Sequence, residues 1–354
     1  MCREDGVQTI YPKRRERTMK AMQRLLRKSL IAAIVLGVAF LIGLASPVKA
    51  SAASSYPDKQ INLVVAFGAG GTNDLGSRLI ADYLAKKWKR QVVVVNKPGG
   101  NGVPAVLDVL NAKPDGYTLL VDVNASSAIQ TAAMISLPYK LTDRTLLCRV
   151  LTASDIVCSS LSRPWKNLKD VADFVKSNPR DFKWGALGDA SMSTLNIGMF
   201  IDGIGVDVKT TKKVDFNAAA EQLSALAGGH IDLMMFSVPG LMPLIEAKKV
   251  QPIVALGGKI GKLPGVQTTE EAGFGWWNTS YWLGISGPSN LPEDIIEKWE
   301  SALKEAANDP EFKSKAESIG FRTAFVDYKG HKKAVLEEEQ RWKAVAQKLG
   351  IVPR

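Results

Sequence analysis

The chain has 354 residues, of which 46% are hydrophobic, and a formal net charge of +11. Residues 1–50 hold ten Lys and Arg but only three Asp and Glu, so the rest of the chain carries a net charge of +4. This modest charge, without a long run of like charges, argues against nucleic-acid binding. The roughly 300 residues after position 50 exceed a usual single domain and predict two α/β lobes.

Residues 1–50 have the pattern of a signal peptide, with an atypical extension over residues 1–18 before Met19. A basic region contains Lys20, Arg24, Arg27 and Lys28. The apolar segment Leu30–Leu44 follows, with small-residue cleavage sites at residues 48–50 or 51–53. The segment is shorter than the roughly 20 residues that span a membrane, although an uncleaved anchor is the alternative. We therefore expect a periplasmic protein that is secreted through a cleaved signal peptide.

After residue 56, β-rich runs alternate with helical stretches, which predicts a mostly parallel sheet. The predicted strands are Ile61–Phe67, Gln91–Val95 and Tyr117–Val121, and the predicted helices are Leu75–Trp88 and Val103–Asn111. Continuous apolar strands of this kind fit a sheet that is covered on both faces.

A second α/β series begins near Asp155–Ser160. Its predicted helices are Leu168–Lys176, Ser193–Ile201 and Ala218–Leu226, and its predicted strands are Phe182–Ala186, Ile231–Phe236 and Ile253–Leu256. The strand Tyr281–Ser286 then precedes two amphipathic helices, Pro292–Ala307 and Tyr328–Leu349. If these helices pack on the first lobe, the chain crosses between the lobes twice and leaves a hinge and a cleft.

Three glycine-rich or hydroxyl-rich loops stand between a predicted strand and a predicted helix: Gly68–Asp74, Gly99–Gly102 and Gly185–Thr194. Backbone N–H groups at a helix start can approach an anion there, because glycine places no side chain in the way. Two such helix starts that face each other across a cleft can hold a dianion without an arginine. A tight strand-to-helix turn without a ligand is the alternative for each loop alone.

Catalytic and metal-binding patterns are scarce after residue 50. His230 and His331 are the only histidines, and no pair of His or Cys has metal-ligand spacing. No nucleophile elbow is present, so a serine hydrolase is not indicated. Cys148 and Cys158 could form one disulfide in an oxidising compartment, and two buried thiols on neighbouring strands are the alternative. We expect no catalytic residue, no metal and no cofactor.

The loop Gly68–Asp74 has a second interpretation as a dinucleotide site. Its glycines do not complete the G-x-G-x-x-G pattern, because Asn73 stands at the sixth position. The next strand ends in Asn96 and Lys97 rather than in an acid for the ribose. Lys97 could meet a 2′-phosphate, so an exported α/β enzyme that binds a nucleotide or a phosphorylated ligand stays as the alternative.

Several separate motifs in the same order resemble the extracytoplasmic receptors of tripartite tricarboxylate transporters, the Bug (TctC-like) family, from about Tyr56 to Val352. The segments that carry the resemblance are Tyr56-Pro57, Phe67–Asp74 with Arg78, Asn96–Gly102, Pro114–Thr118, Gly185–Leu195, Val214–Asp232 and Gly284–Pro292. The resemblance implies a two-lobed type II periplasmic-binding-protein fold, a Venus flytrap with two interlobe crossings. The implied lobes are residues 56–157 with 284–354, and residues 158–283.

The resemblance also implies which residues hold the ligand, chiefly through backbone amides. They are Gly68, Ala69, Gly70, Gly71, Thr72 and Asp74 in the first loop, Gly100, Asn101 and Gly102 in the second, and Ala190, Ser191, Met192, Ser193 and Thr194 across the cleft. Phe216 and Asn217 stand where the family has an aromatic residue followed by Lys-Gly or Asp-Gly. Here Ala218 replaces that glycine, Ala69 replaces a frequent proline, and Asn101 replaces a small residue, so the ligand's identity is not carried over.

The function that these observations favour is capture of a small organic carboxylate, which is a di- or tricarboxylate or an aromatic carboxylate. The resemblance implies membrane subunits of a tripartite tricarboxylate transporter as partners, no nucleic acid, and a monomer. A sensory binding module without a transport role needs the same clamp, so the sequence does not separate the two.

Overall fold

The computed structural model describes residues 56–134 and 136–351, together with Met19, Met22 and Arg27. The chain divides into two compact units, Met1–Ser54 and Ser55–Arg354. The features that follow belong to the second unit, and the predicted signal peptide with its cleavage sites lies outside the described residues apart from three positions. No helix in the described ranges is long and apolar enough to cross a membrane.

Eleven strands and ten α-helices lie in residues 56–351 as far as these are described. The strands are β1 (Ile61–Val65), β2 (Val92–Asn96), β3 (Thr118–Val123), β4 (Arg144–Ala153), β5 (Asp155–Ser160), β6 (Lys183–Ala186), β7 (Lys212–Asp215), β8 (Leu233–Ser237), β9 (Val250–Leu256), β10 (Tyr281–Pro288) and β11 (Arg322–Val326). The helices are α1 (Thr72–Trp88), α2 (Val103–Leu110), α3 (Gln130–Ala133), α4 (Leu168–Ser177), α5 (Met192–Gly203), α6 (Ala219–Ala227), α7 (Val238–Glu246), α8 (Glu293–Asn308), α9 (Pro310–Ser318) and α10 (Tyr328–Lys348).

The strands form two sheets, of six strands in the order β11-β4-β10-β3-β1-β2 and of five strands in the order β7-β6-β8-β5-β9. The chain passes from the first sheet to the second at Ser154, between β4 and β5, and returns between β9 and β10. We call the two sheets with their helices the first and the second lobe. The two crossings that the sequence predicted are therefore present.

The prediction of a mostly parallel sheet is wrong. Of the nine strand pairings in the described residues, four are parallel and five are antiparallel. The reason lies in the crossing strands, because β4 and β10 pair antiparallel with each other and β10 pairs antiparallel with β3. In the second sheet, β5 likewise runs against both β8 and β9.

The first sheet is covered on both faces. Leu63 and Val65 of β1 pack with α1, α8 and α9, whereas Val64 and Ala66 pack with α2. Successive side chains of a strand point to opposite faces, so a strand that is buried on both sides is apolar throughout. This packing fixes the start of α1 and the start of α2 at the same edge of the sheet.

The exact bounds of the lobes, 157/158 and 283/284, stay a prediction. In the structure the sheets change at Ser154, and β10 begins at Tyr281. Cys148 on β4 and Cys158 on β5 are free and buried, and they lie in different sheets. Burial raises the pKa of both thiols, and for Cys148 the charge of Glu300 raises it further. Buried thiols of this kind are unreactive.

Candidate functional site

The first predicted loop joins β1 to α1 and leaves the start of α1 uncovered. Gly68, Ala69, Gly70 and Gly71 are all at least partly exposed. Gly71 is the N-cap residue of the 17-residue helix α1, and no side chain caps it. The first N–H groups of a helix have no partner within the helix and carry partial positive charge. The start of α1 can therefore accept an anion from solvent.

The carboxylate of Asp74 holds the backbone of this loop in position. Its Oδ2 atom accepts hydrogen bonds from the Gly70 N–H and from Arg78 Nε, both at 2.9 Å. Burial by itself raises the pKa of Asp74, but the hydrogen bonds from Arg78, Gly70 and Asn96 outweigh it and lower the pKa. The carboxylate thus holds the loop backbone in place. Its assignment as a ligand-binding residue stays a prediction.

The second predicted loop lies directly beside the first. Gly102 has a φ of +84°, and a Cβ atom there would lie 2.8 Å from the Cβ of Ala66 at the end of β1. Asn96 Nδ2 donates to the Phe67 carbonyl at 3.1 Å, which joins the two loops. Asn101 has a φ of +54° and its carbonyl accepts a hydrogen bond from Gln130 Nε2. Only glycine adopts the conformation of Gly102 without strain at this close approach.

The third predicted loop starts α5 in the second lobe. Ser191 caps this helix by accepting the Thr194 N–H at 3.2 Å. Its hydroxyl also lies 3.1 Å from that of Ser193 and 2.9 Å from that of Thr194. Met192 Sδ lies 4.0 Å from Asn124 Nδ2 at the end of β3, so this helix start meets the first lobe. Ala190 and Met192 also pack on the cluster around Ala128 and Ile129 of the first lobe.

Phe216 and Asn217 follow β7 at the far edge of the second sheet. Phe216 packs on the core of its own lobe, and the Asn217 N–H donates to Glu221 at 3.4 Å. In the part of the chain that the structure describes, neither residue hydrogen-bonds to the first lobe. The structure thus brings the first and third loops to the interlobe boundary, with the second loop beside the first, whereas Phe216 and Asn217 follow the edge strand of the second sheet.

Ser237, Tyr281 and Asp155, which were not assigned to the site from the sequence, complete this boundary together with the first loop. The hydroxyls of Thr72 and Ser237 lie 2.8 Å apart and join α1 to the end of β8 across the lobes. The Tyr281 hydroxyl donates to Asn73 Oδ1. Asp155 stands directly opposite Ser237 in the β5–β8 register. No local signal marks Ser237 or Asp155, because their positions depend on strand pairing between distant segments.

We expect Thr72→Val to shift the protein towards an open form. Valine has a similar shape but leaves the buried Ser237 hydroxyl without its partner, which costs about 1–3 kcal/mol. Ligand affinity should fall about tenfold, because a larger part of the binding free energy is then needed to close the lobes. Calorimetric titration, with small-angle X-ray scattering of the free protein, checks this. Thr72→Ser is the control and should keep wild-type affinity; equal affinity for the valine variant would contradict the role of this bond.

A separate cavity of about 660 Å³ lies near the crossings, and none of the predicted ligand residues lines it. Arg149, Thr152, Trp282, Arg322 and Glu338 are among its walls. The Arg149 guanidinium lies over the Trp282 ring at 5.1 Å, and burial lowers its pKa. Its lining holds three Arg and three Glu side chains, so it has no net positive charge that would favour an anion.

The residues that metal or dinucleotide chemistry would use are paired or buried in the described part of the chain. No group of three or more His, Cys, Asp or Glu side chains in the described ranges is arranged to hold a metal ion. Lys97 Nζ lies 2.5 Å from Asp108 Oδ2, so this cation is already paired. His331 is fully buried, and burial together with the charge of Arg149 lowers its pKa to about 3. That imidazole is neutral and remote from solvent.

Comparison with known proteins gives a family match over most of the chain. Residues 77–351 match the model of the tripartite tricarboxylate transporter family receptor. A UPF0065 protein of Bordetella pertussis is 24% identical over 303 residues, which are 85% of this chain and 93% of that protein.

Two solved structures from Rhodopseudomonas palustris, each 25% identical, also match. Rpa4515 with adipate has a TM-score of 0.76 and covers 83% of this chain and 98% of its own. MatC with bound malate has a TM-score of 0.72 and covers 82% of this chain and 100% of its own. The two-lobed fold of periplasmic binding proteins that the sequence predicted is therefore confirmed.

Proposed function

Since the chain belongs to the tripartite tricarboxylate transporter family of receptors, we propose that it captures a small organic carboxylate between its lobes and presents it to a membrane transporter. The observation that carries this proposal is the uncapped start of α1, where no side chain accepts the first N–H groups of the helix and Thr72 lies against the second lobe. A carboxylate satisfies these groups and interacts favourably with the helix dipole.

The ligand's carboxylate binds at the start of α1, with the second glycine loop beside it and the start of α5 opposite. The ligands of the two similar structures support this class, since adipate and malate are both dicarboxylates. Backbone N–H donors recognise the carboxylate without selecting the rest of the molecule. The groups at the interlobe boundary therefore decide which carboxylate is bound.

Ligand binding favours the closed arrangement because the ligand contacts both lobes only when they approach. The Thr72–Ser237 hydrogen bond and the Asn124–Met192 contact belong to that closed arrangement. The membrane partner recognises the closed surface, and the protein acts in the periplasm as a monomer. Membrane subunits of a tripartite tricarboxylate transporter are the proposed partners, and family membership supports them.

Thermal unfolding against a ligand panel tests the proposal. The purified protein, refolded to remove retained ligand, is heated with mono-, di- and tricarboxylates and with NAD and NADP. A ligand at 100 times its Kd adds about 2.7 kcal/mol, so Tm should rise by about 5 °C with one carboxylate class. An unchanged Tm with every carboxylate, or a rise in Tm with NAD or NADP alone, would contradict the proposal.

A further inference from the structure

Asp155 is a buried carboxyl group without a partner at the boundary between the lobes. It is the first residue of β5, directly after the first crossing, and only 2% of it is exposed. Its Oδ2 atom is buried and makes no hydrogen bond. Among the described residues, the charged group that acts on its pKa is Glu338, an acid rather than a cation. Buried polar groups nearly always have a partner, so this unpaired carboxyl group beside the start of α1 is a candidate to contact a ligand.

Strand pairing places this carboxyl group on the side of the cleft. Asp155 and Ser237 are directly opposite in an antiparallel pair, so their side chains lie on the same face of the second sheet. The Ser237 hydroxyl lies 2.8 Å from that of Thr72 at the start of α1. Opposite Cβ atoms are about 5 Å apart, which puts Asp155 within roughly 8 Å of Thr72. One small molecule can reach both the start of α1 and Asp155.

The groups around Asp155 keep it uncharged. The charge of Glu338 on α10 raises the pKa of Asp155, and the charge of Asp155 raises the pKa of Tyr281 on β10. Neither Glu338 nor Tyr281 is a cation. Thr72 and Asn73 on α1 and Ser237 on β8 carry no charge. Burial first, and then the negative charge of Glu338, raise the pKa of Asp155 to about 8. Below that pH the side chain carries an O–H donor.

We propose that Asp155 selects the ligand, by donating a hydrogen bond from its carboxyl group to the second carboxylate of a dicarboxylate whose first carboxylate lies at the start of α1. This inference rests on the proposed function. A hydrogen bond from a neutral acid to a carboxylate is short and strong, and it satisfies the orphaned oxygen at the same time. A monocarboxylate leaves Asp155 unpaired and binds more weakly.

Two substitutions at Asp155 test this role. Asn keeps a neutral hydrogen-bond donor, whereas Leu has a similar size and no donor. In calorimetric titration with the dicarboxylate that binds the wild type most tightly, we expect Asp155→Asn to stay within about fivefold of wild-type affinity. Asp155→Leu should lose about 10- to 100-fold. Both variants should fold, because the carboxyl group that they remove stabilises no neighbour.

A pH series gives a second readout that does not depend on any variant folding. The wild-type affinity should be flat between about pH 6 and pH 7 and should fall about tenfold by pH 9, because Asp155 loses its proton as pH rises through about 8. Aliphatic dicarboxylates are almost fully ionised above about pH 6.5, so the ligand does not cause the change. In Asp155→Asn the affinity should not vary over this range.

The outcomes separate this inference from the proposed function. If no carboxylate binds the wild type, the proposed function fails. If a dicarboxylate binds but the leucine variant binds it equally well, only the role of Asp155 is overturned. A loss of about a hundredfold in Asp155→Asn together with tight binding of an amino acid would also overturn it, because the side chain would then act as a carboxylate that pairs with a cationic ligand.

Discussion

The substitution Gly71→Asp is expected to weaken carboxylate binding by about 100-fold, or about 2.7 kcal/mol, without loss of fold stability. Gly71 is the N-cap of α1, with φ −81° and ψ 175°, a conformation that any residue can adopt. A Cβ atom there meets only the Gly68 carbonyl, at 3.5 Å. Aspartate at the N-cap accepts hydrogen bonds from the N–H groups of the first turn, so these groups can no longer bind the ligand. Its negative charge also repels the ligand's carboxylate. Calorimetric titration measures the loss.

Gly71→Asn is the matched control, because it is as large as aspartate and caps the helix without a charge. We expect it to lose less than about tenfold in affinity. Urea unfolding of both variants should give a stability equal to or a few tenths of a kcal/mol above that of the wild type. If the aspartate variant bound its ligand as tightly as the asparagine variant, the start of α1 would not be the anchor of the carboxylate.

The substitution Arg144→Met is expected to destabilise the fold by about 3–5 kcal/mol. Arg144 Nη1 donates to Asp122 Oδ2 at 3.0 Å and to the Ser126 carbonyl at 3.1 Å. The two side chains of the ion pair are 1% and 0% exposed. Removal of the arginine leaves the Asp122 carboxylate buried beside no cation, which is much less favourable than an exposed broken pair. Urea unfolding followed by circular dichroism measures the change.

Two controls test whether the loss of stability in Arg144→Met comes from the unpaired buried charge. Lys169→Met breaks the exposed Lys169–Asp173 pair on α4 and should change the stability by no more than about 0.5 kcal/mol. The double variant Asp122→Asn with Arg144→Met removes both charges and should recover part of the loss. A loss below about 1 kcal/mol for Arg144→Met would show that water reaches Asp122 and that the end of β3 is less rigid than the ion pair suggests.

The sequence predicted the segment from β1 to α1 well, because every signal in it is local. A β-rich apolar run, glycines and a helical repeat follow one another within about thirty residues. The structure starts α1 at Thr72, three residues before the predicted Leu75, and ends β1 at Val65, two residues before Phe67. The strands β2 and β3 and the helices α4, α5 and α6 were also predicted within about three residues.

The direction of the crossing strands and the partners across the lobes could not be predicted. The antiparallel pairing of β4 with β10 joins segments about 130 residues apart, and no residue pattern in either segment indicates its partner or its direction. Residues 144–160 contain no glycine or proline that marks the break between β4 and β5. Asp155 and Ser237 become neighbours only through the second sheet, so their place at the cleft required the structure.

The ligand's identity also depends on the difference between local sequence signals and contacts that join distant segments. In our proposal, the backbone N–H groups of the glycine loops bind a carboxylate whichever side chains surround them, so this part of the proposed function can be predicted from the sequence. The group that contacts the rest of the ligand is, in our proposal, a single aspartate on the opposite lobe. A local motif therefore predicts the class of ligand, and a long-range strand pairing decides the member of that class.

The crystal structure of the protein with its tightest-binding dicarboxylate tests the central claim most directly. We expect one carboxylate within hydrogen-bond distance of the backbone N–H groups at Gly71 and Thr72, with the second carboxylate at Asp155 and the Thr72–Ser237 hydrogen bond intact. Density for the ligand in the cavity between Arg149, Trp282 and Arg322 instead, with the start of α1 empty, would contradict the account.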